Sequence, residues 1–152
     1  MYTDSHCHIT CDRLYSRIEE IIENIQAKNV TSCMIMCTRP EELERAKKIK
    51  EKYPFFKVAF GWFPSDAKDV TDKEIQYLIE QTPYLDCLGE IGLDYYWDTS
   101  FNDLQKEVFI KQVKLANELD LPISIHDREA HKDTFDILTE YNKNSKVVMH
   151  CF

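Results

Sequence analysis

The chain has 152 residues, 43% of them hydrophobic and 12% aromatic, with a formal net charge of −8. That length predicts one domain, 1–152, with a sizeable core, and the composition excludes a disordered chain. The acidic balance argues against a plain basic nucleic-acid-binding module, but it allows a polyanionic substrate whose charge is met locally by bound cations.

The first strand is predicted around Asp4-Ser5-His6-Cys7-His8, with Ile9 and Thr10 beyond it. Leu14, Ile18, Ile21, Ile22 and Ile25 then recur at helical spacing, and Ser16-x-x-Glu19 reads as a capping box. The run from Thr31 to Cys37 is short enough for a buried strand. Thr38-x-x-Glu41, with Pro40 inside it, opens a helix carrying Leu43, Ala46 and Ile49. Phe55 to Phe60 predicts the third strand, and Gly61-Trp62-Phe63-Pro64 a loop. Thr71-x-x-Glu74 starts a third helix that buries Ile75, Leu78 and Ile79. Tyr84 to Gly89 is the fourth strand, with Glu90-Ile91-Gly92-Leu93-Asp94 as a turn. Ser100-x-x-Asp103 caps the longest helix, whose apolar face includes Leu104, Val108, Leu115 and Leu119. Pro122 to Ile125 and Lys146 to Met149 are the fifth and sixth strands, closed by His126 and His150. The helix between them carries Phe135, Leu138 and Tyr141. Strand and helix alternate throughout, which predicts a parallel sheet joined by right-handed crossovers.

No apolar run approaches the roughly 20 residues that a bilayer span needs. The acidic, histidine-bearing start is unlike a signal peptide, so a cytoplasmic protein is expected. The six cysteines, at 7, 11, 33, 37, 87 and 151, are then expected to be reduced.

Parallel α/β folds place their sites at the carboxyl ends of strands. His6 and His8 share one side of an extended segment, because side chains alternate along it. Glu90 follows strand four, His126 strand five and His150 strand six. Four imidazoles and a carboxylate exceed a four-ligand structural zinc site and suit a hydrolytic centre with one or two divalent ions. Zn, Mn, Fe and Mg all tolerate such mixed ligation. The remaining histidine, His131, lies early in a helix and reads as a surface residue.

At these residues the chain resembles the TatD-type metal-dependent deoxyribonucleases of the amidohydrolase superfamily. The motifs are Asp4-Ser5-His6-Cys7-His8, Gly89-Glu90-Ile91-Gly92-Leu93-Asp94, Pro122-Ile123-Ser124-Ile125-His126-Asp127-Arg128-Glu129-Ala130 and His150-Cys151-Phe152. The resemblance implies a TIM (β/α)8 barrel, here truncated to its first six parallel strands, and a divalent-metal phosphodiesterase acting on DNA. It implies His6, His8, Glu90, His126 and His150 as metal ligands, Glu90 and Arg128 as catalytic groups with Arg128 near the phosphate, and Asp94 behind the ligands. Two departures stand out. Phe63 occupies the place of a substrate-facing histidine, and an aspartate after an eighth strand falls beyond Phe152. An amide or lactone hydrolase on the same barrel, or a non-catalytic metal-binding chain lacking that last aspartate, are the competing readings. Unpaired first and sixth strands would leave two edges open to self-association.

Overall fold

A computed structural model describes residues 1–150; Cys151 and Phe152, with the end of the last motif, lie outside the described residues. The strands are β1 (Tyr2–Cys7), β2 (Val30–Cys37), β3 (Phe56–Phe60), β4 (Cys87–Asp94), β5 (Ile123–Arg128) and β6 (Val147–His150). The helices are α1 (Asp12–Tyr15), α2 (Ile18–Ala27), α3 (Pro40–Lys52), α4 (Asp72–Gln81), α5 (Asn102–Leu119) and α6 (His131–Tyr141). All neighbouring strands pair in parallel, in the order β1-β2-β3-β4-β5-β6. This is the parallel sheet that the alternation of elements predicts, and the six-stranded part of the barrel that the family resemblance implies.

Residues of one strand serve two faces, as the period of two requires. In β2, Cys33, Ile35 and Cys37 join the main core, with Phe56, Val58 and Phe60 of β3 and Leu43, Ala46 and Ile49 of α3. Met34 and Met36 instead meet Ala59 and Cys87 in a smaller cluster. No helix among the described residues is long and apolar enough to cross a membrane.

Helix starts follow local chemistry more closely than the Thr/Ser-x-x-Glu/Asp pattern does. The box at Thr71 and Glu74 forms, with Thr71 N 3.1 Å from Glu74 Oε2 and Lys73 N 3.2 Å from Thr71 Oγ1. At α3 the cap is Arg39, because Pro40 lacks an N–H and suits the first helical position. Thr38 N and Oγ1 accordingly reach Glu42, at 2.9 and 3.2 Å, rather than Glu41. The Ser16 box does not form, since Asp12–Tyr15 makes its own turn and α2 starts after Arg17. Ahead of α5, Asp98 rather than Ser100 is the capping acceptor, 2.9 Å from Ser100 N.

The largest difference from the sequence reading is β4. It runs on through Asp94, and all eight of its residues are buried between β3 and β5. The glycines that suggest a turn there serve close approach instead. A Cβ on Gly92 would lie 2.0 Å from the carbonyl oxygen of His126, and Gly92 sits at φ +141. Ile79, Leu119 and Phe135, expected to be buried, are 40%, 42% and 48% exposed at the flanks of their helices.

Candidate metal centre

The site forms because strand register carries the polar residues to one rim. Gly92 pairs with His126, and His126 with His150, across β4, β5 and β6. Pairing shifts by one residue between Leu88↔Ile123 and Ile91↔Ile125, so β4 holds an extra residue there. The parity of the strand changes at this bulge. Leu88, Ile91 and Leu93 all enter the main core, while Glu90 faces the histidines.

Each oxygen of Glu90 faces its own pair of imidazoles. Oε2 lies 3.4 Å from His6 Nε2 and 3.8 Å from His8 Nε2. Oε1 lies 3.0 Å from His126 Nδ1 and 3.6 Å from His150 Nε2. The His6 and His150 rings stack at 3.6 Å, and His6 Nε2 is 3.1 Å from His8 Nε2. Ligating atoms of His6, Glu90 and His150 all lie within 4.8 Å of one another. The structure therefore brings together all five residues that the sequence nominates, although Glu90 comes from within a strand and not from a turn.

The charges are balanced against burial. Glu90 is only 3% exposed. Burial alone would raise its pKa, but hydrogen bonds from His126 and His6 and their positive charge outweigh that and bring it down to about 2. Burial likewise lowers the pKa of His126, yet the flanking Glu90 and Asp94 carboxylates raise it overall. The His150 pKa is lowered by burial and by the neighbouring His6.

Supporting residues lock these groups. Asp94 Oδ2 meets His126 Nε2 at 2.9 Å and fixes its ring, as outer partners of metal-binding histidines do. His8 Nδ1 is 3.1 Å from the Met36 carbonyl oxygen. Two buried glutamines of α5 were not singled out from the sequence. Gln105 accepts from Asp94 N at 2.8 Å and donates to Asp94 O at 2.9 Å. Gln112 does the same for Trp62, at 2.8 and 3.0 Å. Their signal was there to read: two amides seven apart, on the helix stripe that also carries Val108, Phe109 and Ala116.

The mouth of the site is a cavity of about 440 Å³, lined by His8, Glu90, His126, His150, Arg39 and Phe63 among others. The Phe63 ring stands edge-on to His126 at 4.7 Å. Arg39 is exposed, and no hydrogen bond or ion pair holds its side chain among the described residues. Arg128 lies at the same rim but outside the cavity lining, its guanidinium 3.7 Å over the Tyr96 ring. His131 is largely exposed, as expected, with Nδ1 2.8 Å from Asp127 Oδ2.

A parallel α/β half-barrel with a histidine–carboxylate cluster at its carboxyl rim defines a class, the α/β barrel proteins whose site carries donors suited to a metal ion. The chain belongs to the TatD related DNase family, whose profile matches residues 3–152. It is 37% identical over 155 residues to the uncharacterized metal-dependent hydrolase YabD of Bacillus subtilis, covering 100% of this chain and 61% of that protein. It is 29% identical over 166 residues to human deoxyribonuclease TATDN3, covering 98% of this chain and 60% of that one. The crystal structure of the Escherichia coli TatD homolog YJJV superposes with a TM-score of 0.81 at 26% identity, over 92% of this chain and 56% of that chain. The chain thus spans about three fifths of the length of the curated relatives it matches.

Proposed function

We propose that these residues form most of a two-cation centre that hydrolyses phosphodiester bonds in DNA, in a protein of the full length its relatives span. The observation that carries this reading is the Glu90 carboxylate, with each oxygen turned to a different histidine pair. In this reading His6 and His8 would hold one ion, His126 and His150 the other, and Glu90 both. Bound divalent ions supply a water with its pKa brought toward about 7 and a polarised phosphoryl oxygen.

The protein's own groups then do the positioning. Asp94 and the Met36 carbonyl hold His126 and His8 in orientation. Arg39 offers a guanidinium fork at the cavity, near the Asp66 carboxylate and suited to a phosphate oxygen pair. Phe63 offers a flat face on which a base can stack. Arg128, stacked on Tyr96, is the second cation of the rim. The open edges of β1 and β6 are where a further strand or a second copy would pair.

The test is a parallel assay on DNA oligonucleotides, amides and lactones, with added Mn, Mg or Zn. Metal-dependent DNA cleavage, abolished by a chelator and by Glu90→Gln, is the expected result. Turnover of amides or lactones alone would assign the site to carbonyl chemistry. Metal binding without any turnover would make it a binding site only.

A further inference from the structure

Cys7 lies between His6 and His8 in the chain, yet its sulfur faces the other side of β1. Its Sγ is 3.3 Å from Cys33 Sγ and 3.3 Å from the Met34 carbonyl oxygen. Cys33 is only 1% exposed in the main core, while Cys7 is half-buried beside it. Both are free thiols. Asp4 offers a carboxylate within 4.8 Å of both sulfurs, so a soft cation is the rival use of this corner. The sulfur spacing disfavours it. Two thiolates on one tetrahedral zinc, with Zn–S bonds of about 2.3 Å, stand roughly 3.8 Å apart.

We propose that Cys7 and Cys33 form a peroxide-driven disulfide that acts on the metal centre from behind. Hydrogen peroxide converts the Cys7 thiol to a sulfenic acid and releases one water. The Cys33 thiol attacks that sulfur, the S–S bond forms, and the sulfenic oxygen leaves with the thiol proton as a second water. Two thiols have lost two hydrogens and two electrons, and one peroxide has become two waters. A dithiol reductant reverses the step by exchange.

The register gives the bond its consequence. Cys7 pairs with Ile35, two residues beyond Cys33, and the β1–β2 pairing is irregular between Asp4 and Cys7. Closing the sulfurs to about 2.05 Å therefore draws this irregular stretch of β1 along β2. His6 and His8 flank the bond directly. A shift of about 1 Å is enough to spoil a site of this kind. Oxidation weakens metal binding at least tenfold, an effect that rests on the histidine–Glu90 reading above; the disulfide itself does not.

The experiment oxidises the metal-loaded and metal-free chain with graded hydrogen peroxide, alkylates the remaining thiols and maps peptides by mass. The expected product is one peptide pair joining Cys7 to Cys33, lighter by two hydrogens and released by dithiothreitol, with the other four cysteines, Cys11, Cys37, Cys87 and Cys151, alkylated. Zinc titration of oxidised and re-reduced samples then reads the tenfold loss and its recovery. In Cys33→Ala, Cys7 is expected to be trapped by dimedone as its sulfenic acid, and peroxide no longer brings the tenfold loss of zinc affinity, because the bond that shifts β1 cannot form. Should that variant misfold, Cys7→Ser must abolish the linked peptide. Separate alkylation of Cys7 and Cys33 after oxidation, a Cys7–Cys11 link, or a cadmium–thiolate absorption band in place of the bond would overturn the proposal. A linked peptide with unchanged zinc affinity would overturn its action on the metal centre while leaving the DNA assay untouched.

Discussion

Glu90 Oε1 lies 3.0 Å from His126 Nδ1, and the other ring nitrogen of His126 lies 2.9 Å from Asp94 Oδ2. One imidazole is thus clasped by two buried carboxylates. Both of its nitrogens face acceptors, so the protonated ring satisfies the pair better than the neutral one. The two carboxylates raise the His126 pKa on balance against burial, whereas a metal ion needs the ring neutral.

That exchange predicts how metal binding depends on pH. The His126 pKa is raised on balance by Glu90 and Asp94, against the effect of burial, so a proton must leave before the ring can ligate. Zinc or manganese affinity is expected to climb from pH 5 to 8, with proton release on binding. Calorimetric titration in buffers of different ionisation enthalpy measures both. In the metal-free chain the signs run the other way. The stabilising share of His126 is complete below its ordinary pKa and fades as pH rises through the raised one. That of Glu90 is complete above its unfolded value and fades as pH falls toward about 2. Thermal melts in chelator are therefore expected to decline on both sides of a mildly acidic optimum. Metal affinity that stays flat from pH 5 to 8 would contradict ligation by four histidines.

Glu90→Gln tests the centre of the cluster. The amide keeps the shape but loses the charge and one of the two acceptors that the imidazoles meet. Metal affinity is expected to fall more than about 100-fold, beyond the loss usual for an outer partner. The fold itself should hold, because removing the carboxylate also lets His126 become neutral. Circular dichroism alongside metal titration separates loss of site from loss of fold.

Arg39 tests the substrate side. Its guanidinium lines the cavity without a hydrogen-bond partner among the described residues. Arg39→Ala is expected to raise KM for oligonucleotides roughly tenfold with kcat little changed, the mark of a group that binds substrate and transition state alike. Arg39→Lys should recover part of it, since charge remains but the fork is lost. Equal falls in kcat and kcat/KM would place Arg39 in the chemistry instead.

Which parts were readable follows from what each residue needs. His126 and His150 show in the sequence because each stands at the end of an apolar run, where strand ends fall, and His6 and His8 because they alternate with Cys7 on one side of an extended segment. Glu90 was found for the wrong local reason: the glycines at 89 and 92 look like a turn but sit inside a fully buried strand. Only the tertiary partner explains Gly92, whose missing Cβ makes room for the His126 carbonyl. Caps were readable where side chain and backbone agree, as at Thr71, and misplaced where Pro40 or a separate turn at Asp12–Tyr15 sets the start. Arg39 stayed hidden because a lone arginine after a strand has no periodic signal.

Gln105 predicts a stability effect. It closes a two-bond bridge to the backbone of Asp94, and it is 1% exposed. Gln105→Leu leaves a buried N–H and a buried C=O without partners, which costs about 3 kcal/mol. The melting temperature should fall by roughly 10 °C in a chain of this length. Because Asp94 steadies His126, metal affinity should fall with it. Gln105→Glu is a sharper probe. It keeps an acceptor for Asp94 N but loses the donor to Asp94 O and adds a buried negative charge. It should therefore be worse than leucine. A glutamate variant as stable as the wild type would sink the bridging role.

Gly92→Ala should be the most damaging small change. The added methyl would meet the His126 carbonyl oxygen at 2.0 Å, with that residue's carbonyl carbon and amide nitrogen next at 3.0 and 3.1 Å. All three are backbone atoms of the paired strand, so no side-chain rotation relieves the clash. The φ of +141 adds strain that an L-residue rarely tolerates. Relief requires β4 and β5 to separate where Gly92 pairs with His126. A loss of about 4 kcal/mol or more is expected, in the range reserved for strain and overpacking at special backbone positions. Hydrogen exchange should show it first, with amides of β5 near His126 losing protection before those of β2 and β3. Uniform loss across the sheet would mean that the damage is global, and wild-type protection at β5 would mean that Gly92 does not set the spacing of the site.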